Sequence, residues 1–551
     1  MSIPILKPNS SWFTPNLNTT TRTIITLINI LDTYTPTSTI TDSWDASVEQ
    51  DGSIMCYVEG TTLTIAGNSS GKIALSEDAR YTFSNIEEII EAGTSVVENL
   101  DTFSAVTAIN GLNILDTSAV TAMDYMFHRC KKLVTIDVSS FDTSNVTSMS
   151  HMFGANKNDP MAFTSITFGS NFVTNKVTDL SYMFYYNNYL TALDIDDWDV
   201  SNVVNMSNMC RNCTALTTFG PKALADWNTG NVVYMDEAFR SLQKLTALAF
   251  ENWNVSKVKT FYCAFLQGAW ATVLDLEAWD TSSCEDMSFI FWGFKTLTTL
   301  KVNTWDVSNV VTFDHFVAQM GSNFKNFDTS NWNVSSKCKN LNAVFHSFKG
   351  TTLDISKWDT SGVEVFCQMF DGCSNLTEIK GLDKLNTSNG RDFTQMFSGN
   401  KIKHLDLSSF DTRKAVPEYP ISKNDTYGAG MGSFMYGSWN TLEKITFGKN
   451  FSFDGDGTCV GKAGSEGTEA RFTLPKSKSG YWYSLDGTQY LNTEIPDDTA
   501  GTYFTSRDAA IKEGDSKKYM SFNSMRIYHE KLVNSISIDD ITSEDIQSLF
   551  N

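Results

Sequence analysis

A tandem repeat of roughly 26 residues runs through most of this chain, and it restricts the possible folds more than any other feature. Each copy is marked by the tripeptide Asp-Thr/Val-Ser or by a variant of it. Twelve copies begin at Asp116, Asp142, Val173, Asp199, Asn228, Asn254, Asp280, Asp306, Asn333, Asp359, Asn386 and Asp411. A single short unit cannot bury its own apolar face, so the units are expected to form their core by stacking on one another.

Two hydrophobic periodicities alternate within each copy. The run from Val146 to Phe153 has apolar residues spaced by three and four, which predicts a short helical segment that Ser144 would cap. Strict alternation follows in segments such as 405–408, and this pattern predicts a strand with one buried face. The unit is therefore predicted to be a strand, an aromatic corner, a short helix and a turn.

The size and content of the unit indicate an α/β repeat fold. A strand-plus-helix unit of about 20–29 residues is typical of a leucine-rich-repeat solenoid. We predict about twelve such units over residues 81–455, with a small β-containing region at 1–80. Residues 44–75 are predicted to contain a hairpin that turns at Glu59-Gly60. Residues 456–551 are expected to form a β cap and a tail, because an end unit would otherwise expose its apolar layer.

An aromatic residue precedes the tripeptide in most copies. Seven copies have tryptophan there: Trp198, Trp227, Trp253, Trp279, Trp305, Trp332 and Trp358. We interpret this column as a buried aromatic spine, and the alternative is a surface ladder that stacks on sugar rings. The other six tryptophans are better candidates for exposed contacts: Trp12, Trp44, Trp270, Trp292, Trp439 and Trp482.

Polar residues of the alternating segments form two columns that we expect on the exposed face of the sheet. The candidate binding residues on this face are Asp137, Asp194, Asp196, Glu251, Asp275, Glu277, Lys301, Asp328, Asp354, Ser356 and Asp406. They are either a solvated polar face or a surface that binds cations, a glycan or a protein. The insertions at 154–162 and 413–432 are a rival site, since loops vary easily and often carry contacts.

Several function classes are disfavoured by composition. The net charge of −21 disfavours nucleic-acid binding, because an acidic surface repels phosphate. No apolar run is long enough to span a membrane, and the first residues lack a Sec signal pattern. Cys210-x-x-Cys213 has redox or zinc spacing, but no further ligands lie nearby, so both are read as core residues. We expect no metal and no cofactor, and we find no catalytic motif.

The segment Ser140–Phe153, with its Phe-Asp-Thr-Ser-Asn-Val core, resembles the BspA-like leucine-rich repeats of bacterial and phage surface proteins. The resemblance covers about residues 80–450. It implies an extracellular recognition or adhesion role without catalysis. This chain departs from bacterial members in lacking a recognisable signal and anchor.

The expected function is that of a virion protein of a tailed phage, such as a fibre, spike or decoration protein, released by lysis. Its partners would be virion structural proteins, which the N-terminal region would contact through the apolar stretch 23–31, and a host-surface glycan or protein. A homo-oligomer is also expected. The alternatives are a bacterial surface adhesin exported without Sec, and a glycan-cleaving enzyme that uses paired carboxylates.

Overall fold

The computed structural model describes residues 2–8, 11–13, 23–84, 89–91, 94–96, 103–416, 431–432, 434–435, 441–453, 455, 479, 481–491, 495–496 and 500–517. Its strands are β1 (Ile5–Leu6), β2 (Leu27–Leu31), β3 (Asp42–Asp45), β4 (Met55–Glu59), β5 (Thr62–Ala66), β6 (Ile73–Leu75), β7 (Ile89–Glu91), β8 (Thr94–Val96), β9 (Ala108–Asn110), β10 (Leu115–Asp116), β11 (Thr135–Asp137), β12 (Ser165–Thr167), β13 (Val273–Asp275), β14 (Thr299–Lys301), β15 (Asn326–Phe327), β16 (Thr352–Asp354), β17 (Glu378–Lys380), β18 (His404–Leu407), β19 (Lys444–Phe447), β20 (Tyr481–Ser484), β21 (Gln489–Leu491) and β22 (Gly501–Phe504). Short 3-10 turns lie at Leu112–Ile114 and Leu382–Lys384, and residues 507–517 are helical. The chain forms two compact units, Met1–Gly362 and Val363–Asn551.

The first unit begins with a five-stranded sheet in the order β3-β4-β5-β2-β9. The predicted hairpin is present, since β4 pairs antiparallel with β5 around Gly60, whose φ is 59°. The apolar stretch 23–31 is not a free docking segment, because β2 lies between β5 and β9 and buries Ile28 and Ile30 completely. This expectation is corrected: the stretch has its apolar partner within the same unit.

Successive copies of the repeat are joined by parallel backbone pairing. A bridge of this kind links each copy to the next through one residue per copy: Asp78, Ala122, Ser148, Asp179, Asn205, Tyr234, Thr260, Asp286, Thr312 and Asn340. A second line of pairing includes β11 with β12, and β13 with β14 and then β15. Repeat length therefore sets the register, so equivalent residues of neighbouring copies lie side by side.

The predicted short helix after each tripeptide is wrong. Met152 donates its N–H to Met149 O (3.2 Å), which closes a tight turn, and His151 at the third position of that turn has φ 58°. His151 N and Phe153 N bond to carbonyls of the next copy, which a helix would use internally. No α-helix occurs between residues 103 and 416. Apolar spacings of three and four fit a chain of such turns as well as a helix.

One left-handed residue occupies the equivalent turn position in each copy whose turn the structure describes. In the first unit these residues are Tyr81, Tyr125, His151, Tyr182, Asn208, Glu237, Cys263, Phe289, His315 and Ala343. Left-handed backbone is costly for residues with a Cβ. Ring stacking offsets part of this cost in the first copies, because His151 lies 4.3 Å from both Tyr125 and Tyr182, nearly parallel to each.

The tripeptide itself serves the stacking of copies. The Asp142 carboxylate accepts the N–H of Ser144 (3.0 Å), which fixes the turn, so Ser144 does not act as a helix cap. The buried hydroxyl of Thr117 donates to Asp142 O (2.9 Å) and accepts from Asp142 N (2.8 Å) in the next copy. The pattern explains why the second position is so often threonine.

The tryptophan column is buried, as interpreted from the sequence. Trp198, Trp227, Trp253, Trp279, Trp305, Trp332 and Trp358 are each at most 8% exposed. Each indole from Trp227 to Trp332 donates its N–H to a carbonyl of the preceding copy, as in Trp332 to Val302 O (2.8 Å). Trp12, Trp44 and Trp482 are also buried, whereas Trp270 and Trp292 are half-buried. Trp439 lies outside the described residues.

The second unit contains a five-stranded sheet in the order β18-β19-β22-β20-β21. Three of its strands, β20, β21 and β22, lie within the segment 456–551 that is expected to contain β structure. β18 pairs parallel with β19, and β22 pairs antiparallel with β19. The described chain is thus a repeated architecture of short strands and turns with few helices. The end of the expected tail, residues 518–551, lies outside the described residues.

Candidate functional site

The predicted binding residues do not all share one environment. Seven are exposed: Asp137, Asp194, Asp275, Glu277, Lys301, Asp328 and Asp406. Three are half-buried: Glu251, Asp354 and Ser356. The exposed side chains of the strands β11 to β16, of the equivalent paired segments 191–194, 217–218 and 246–251, and of the turns that follow them are called the strand face below. Asp406 belongs to the second unit, on β18.

A groove in the strand face collects three of the predicted residues. It has a volume of ≈ 530 Å³, and Glu277, Lys301 and Asp328 line it. The floor is formed by β14 and β15, which pair at Thr299 with Asn326 and at Leu300 with Phe327 but no further. The backbone pairing of the two strands ends at Leu300 and Phe327.

Ion pairing at the edge of this groove links two neighbouring copies. The Lys301 ammonium lies 2.7 Å from the Asp275 carboxylate, and as a hydrogen-bond donor it lowers the pKa of Asp275. Both side chains are about half exposed, so the pair contributes little to stability. It does neutralise one of the stacked carboxylates, as expected from the break that Lys301 makes in the acidic column.

Polar side chains that the sequence reasoning missed complete the groove. Asn303 donates to Asp328 (3.0 Å), and Asn326 donates to the Thr299 hydroxyl (3.1 Å). The Lys325 ammonium forms no hydrogen bond or ion pair with any described residue, so it is available to a ligand. Aligning the copies by their strands would have placed Lys325 and Asn326 on this face, because each alternating segment starts there.

A second groove of ≈ 360 Å³ lies near the start of the repeats. Asp137 lines it together with Thr135, Ser139 and the segment 107–113. Hydrogen bonds from the Ser139 hydroxyl and backbone N–H lower the pKa of Asp137, so the carboxylate is charged at neutral pH. This second groove lies on the same face of the repeats as the first groove, because strand-face residues line both.

Several aspartates of the strand face also accept hydrogen bonds from the backbone of their own turn. The carboxylates of Asp137, Asp328 and Asp406 each accept the N–H of the residue two positions later, at 2.9 Å. This local bond stabilises the turn that ends each strand. The aspartate column is therefore explained in part by turn formation, and only the remaining oxygen lone pairs are available to a ligand.

Asp196 was expected on the exposed face, and this expectation is wrong. Its side chain is 5% exposed and accepts the backbone N–H groups of Lys222 (2.6 Å) and Leu224 (2.8 Å). The cause is the longer step between the copies at Asp199 and Asn228, whose extra residues fold over Asp196. Gly220 makes room for this contact, since a Cβ there would collide with the carboxylate.

The rival loops are only partly described. In the insertion at 154–162, Asp159 forms ion pairs with Arg129 (2.6 Å) and Lys131 (3.2 Å), which tie the loop to the preceding copy. Of the insertion at 413–432, residues 417–430 lie outside the described part of the chain. The choice between loops and strand face stays open at this insertion.

No cofactor or metal centre is formed by the described residues. Cys210 and Cys213 are fully buried and the thiol of Cys213 donates to Phe184 O (3.1 Å), which fits the core role inferred for the pair. Within the described chain, no group of three His, Cys, Asp or Glu side chains is placed to hold a metal ion. No described helix is long and apolar enough to cross a membrane.

Comparison with known proteins gives one family. The model described as "Mycoplasma protein of unknown function, DUF285" matches the chain four times in overlapping tandem, over residues 94–218, 157–269, 260–350 and 339–419. Together these matches cover more than half of the chain. No curated protein and no solved structure matches it.

Proposed function

The chain belongs to the DUF285 family of repeat proteins, and we propose that it recognises a surface glycan or protein through its strand face. The groove that brings Glu277, Lys301 and Asp328 together carries this proposal. It presents two exposed charged groups of opposite sign, Glu277 and Lys325, beside amide and hydroxyl groups. Such a polar surface suits a hydrated partner, and its repetition suits contacts that are individually weak and add up.

In finer detail, the proposed fold is a BspA-like leucine-rich-repeat solenoid with a C-terminal β cap. Parallel pairing of each copy with the next supports this proposal, as does the turn geometry that recurs from copy to copy. The antiparallel pairing of β22 with β19 supports the cap, because it ends the parallel order of the strands before it.

The proposed setting is the virion of a tailed phage, where the protein would act without catalysis as a fibre, spike or decoration protein. Mass spectrometry of purified virions, beside an extract of the uninfected host, tests this placement. A bacterial surface adhesin is the second candidate, and it is favoured by the family description, which names a bacterial genus. Recovery of the protein by surface labelling of uninfected cells, and its absence from virions, would select the adhesin.

Attachment to a larger assembly is proposed for the N-terminal region, on grounds different from those given by the sequence. Ile3, Ile5 and Val48 are 43–44% exposed, Val48 N bonds to Ile5 O (2.9 Å), and Ile3 is two residues from Ile5 along the chain. Replacing all three by Ser should reduce incorporation into the assembly while the fold is retained. Deleting residues 1–42 is a poorer test, because it removes β2 from the middle of its sheet.

Binding by the strand face is tested with charge-matched variants. Asp275→Ala with Glu277→Ala removes two acids from the face, and Asp226→Ala with Glu285→Ala removes two exposed acids elsewhere. We expect the first variant to attach to target cells at least tenfold more weakly, and the second to behave as wild type. Equal attachment of both variants, with loss of attachment when residues 417–430 are shortened, would assign recognition to the loop.

A further inference from the structure

A second feature of the strand face is an uncharged strip that runs beside the acidic columns. It consists of the two residues that open each alternating segment in seven consecutive copies: Val134, Thr135, Thr164, Ser165, Thr191, Ala192, Thr217, Thr218, Thr246, Ala247, Thr272, Val273, Thr298 and Thr299. We call these fourteen residues the threonine strip. None is charged, although the chain as a whole carries 105 charged side chains from 42 basic and 63 acidic residues.

The strip is a surface feature and not part of the core. Twelve β-branched or hydroxyl side chains and two alanines make it up, and all are exposed or half-buried. Val134 and Val273 are 47% and 50% exposed, which is high for valine. Ten of the fourteen side chains carry a hydroxyl and four are apolar, so the strip presents methyl groups and hydrogen-bonding oxygens to solvent without any charge.

Backbone pairing gives the strip a regular spacing. The N–H of Thr164 bonds to Val134 O (2.8 Å), that of Thr217 to Thr191 O (2.9 Å), and that of Thr298 to Thr272 O (2.8 Å). Thr246 continues the second of these groups by bonding to Thr217 O (3.1 Å). Equivalent side chains in a bonded group are thus about 4.8 Å apart, as in any sheet.

Several threonine hydroxyls of the strip are already used within the protein. Thr217, Thr246 and Thr298 each donate the hydroxyl proton to the carbonyl of the preceding copy at 2.9 Å. At these three positions the oxygen lone pairs and the methyl groups remain for a ligand. Covering these three side chains costs little, because no donor proton loses its partner.

We propose that the threonine strip binds an uncharged polysaccharide chain. A ligand built from identical units suits a surface built from identical units. Sugar hydroxyls can donate to the free lone pairs of the strip, and the C–H faces of sugar rings can pack on its methyl groups. The flanking carboxylates of Asp137, Asp194 and Asp275 repel an acidic polymer and can accept hydrogen bonds from a neutral one.

This inference rests on recognition by the strand face and names the class of its ligand. It is tested by co-sedimentation of the full chain with insoluble cellulose, chitin and curdlan, and with calcium-free polygalacturonate beads as the acidic polymer. The test variant is Thr217→Lys with Thr246→Lys and Val273→Lys. The control is Thr147→Lys with Thr178→Lys, because these threonines are exposed and make the same hydroxyl-to-carbonyl bond elsewhere in the array.

We expect wild type and the control to sediment with at least one neutral polymer and to ignore polygalacturonate. The strip variant should lose at least tenfold in affinity while its thermal unfolding midpoint stays near that of the control. Sedimentation with no neutral polymer, stronger binding to polygalacturonate, or equal binding of the two variants would overturn the inference. If wild type attaches to target cells in the absence of any polysaccharide binding, recognition by the strand face stands and only the ligand class fails.

Discussion

The indole rings of Trp279 and Trp305 lie 5.9 Å apart between centroids and are 2° from parallel. They belong to equivalent positions of consecutive copies, and Trp332 continues the stack at 6.4 Å from Trp305 with the same 2° angle. Each indole N–H is bonded to a carbonyl of the copy before, as Trp305 is to Leu276 O (2.8 Å). The column thus joins neighbouring copies both by ring contact and by hydrogen bonding.

Removing one ring from this column should destabilise the first unit strongly. Trp305→Ala leaves a cavity and removes the indole bond to Leu276 O, which keeps only its bond from Trp279 N (3.1 Å). We expect a loss of about 3–5 kcal/mol in the free energy of unfolding. Trp292→Ala is the control, because Trp292 is half-buried and outside the column. Urea denaturation followed by circular dichroism measures both, and equal losses would contradict a special role for the column.

Two aspartates two residues apart should respond very differently to truncation. Asp196→Ala leaves the N–H groups of Lys222 and Leu224 without their acceptor in a buried place, at a cost of about 1–3 kcal/mol. Asp194→Ala changes an exposed residue and should stay within about 0.5 kcal/mol of wild type. If denaturation curves of the two variants coincide, Asp196 does not hold the 220–224 segment.

Acid should weaken the early copies through buried histidine. Burial lowers the pKa of His151 from 6.5 to about 4, so the native state resists a proton that the unfolded chain accepts. The contribution of His151 is therefore complete above pH 6.5 and is lost as the pH falls toward 4. His151→Tyr copies the residue of the flanking turns, Tyr125 and Tyr182, and should lose less stability than wild type between pH 7 and pH 4.5.

The comparison of His151→Tyr with wild type at pH 8 serves as the control. Loss of the 2.9 Å bond between His151 and Ser150 costs at most about 1 kcal/mol and does so at either pH. Parallel stability-against-pH curves for the two proteins would show that His151 does not carry the acid sensitivity.

Asp392 in the second unit should give the opposite pH dependence. Its side chain is fully buried, and burial raises its pKa to about 7. The native state therefore holds a proton that the unfolded chain releases, so this contribution to stability is present below about pH 4 and is lost as the pH rises through 7. Asp392→Asn mimics the protonated form and should be more stable than wild type at pH 8, with the difference shrinking as the pH falls and nearly absent below about pH 4. Equal stability at pH 8 would contradict the raised pKa.

Glycine should be tolerated at a left-handed turn position but should destabilise an extended segment. Gln319 is exposed with φ 59°, and Gly293 occupies the equivalent position of the preceding copy. Gln319→Gly should leave stability unchanged or raise it by up to about 1 kcal/mol, because the strain of a Cβ is removed. Lys325→Gly, in an exposed extended segment, should cost about 0.5–1 kcal/mol. Destabilisation by both to the same degree would argue against strain at Gln319.

The repeat, the parallel pairing and the burial of the tryptophan column could be predicted from the sequence because each depends on a local pattern that recurs. Alternation identifies which side chains of a strand share a face, so Asp137, Asp275 and Asp328 were placed correctly on the exposed side. Asp196 was not, because its burial depends on extra residues in the next copy. The threonine strip was visible only once the copies could be aligned by their actual strand pairing.

The sequence by itself determined the length of the unit, the order of its polar and apolar positions and the residues that meet between copies. The tertiary structure alone decided how the chain bends within a unit. Apolar spacings of three and four allow both a helix and a series of tight turns, and the difference lies in where the backbone N–H groups find acceptors. His151 N bonds to Ser181 O (2.9 Å), thirty residues away. A partner in the next copy, absent from any local window, is what favours left-handed turns over the helix.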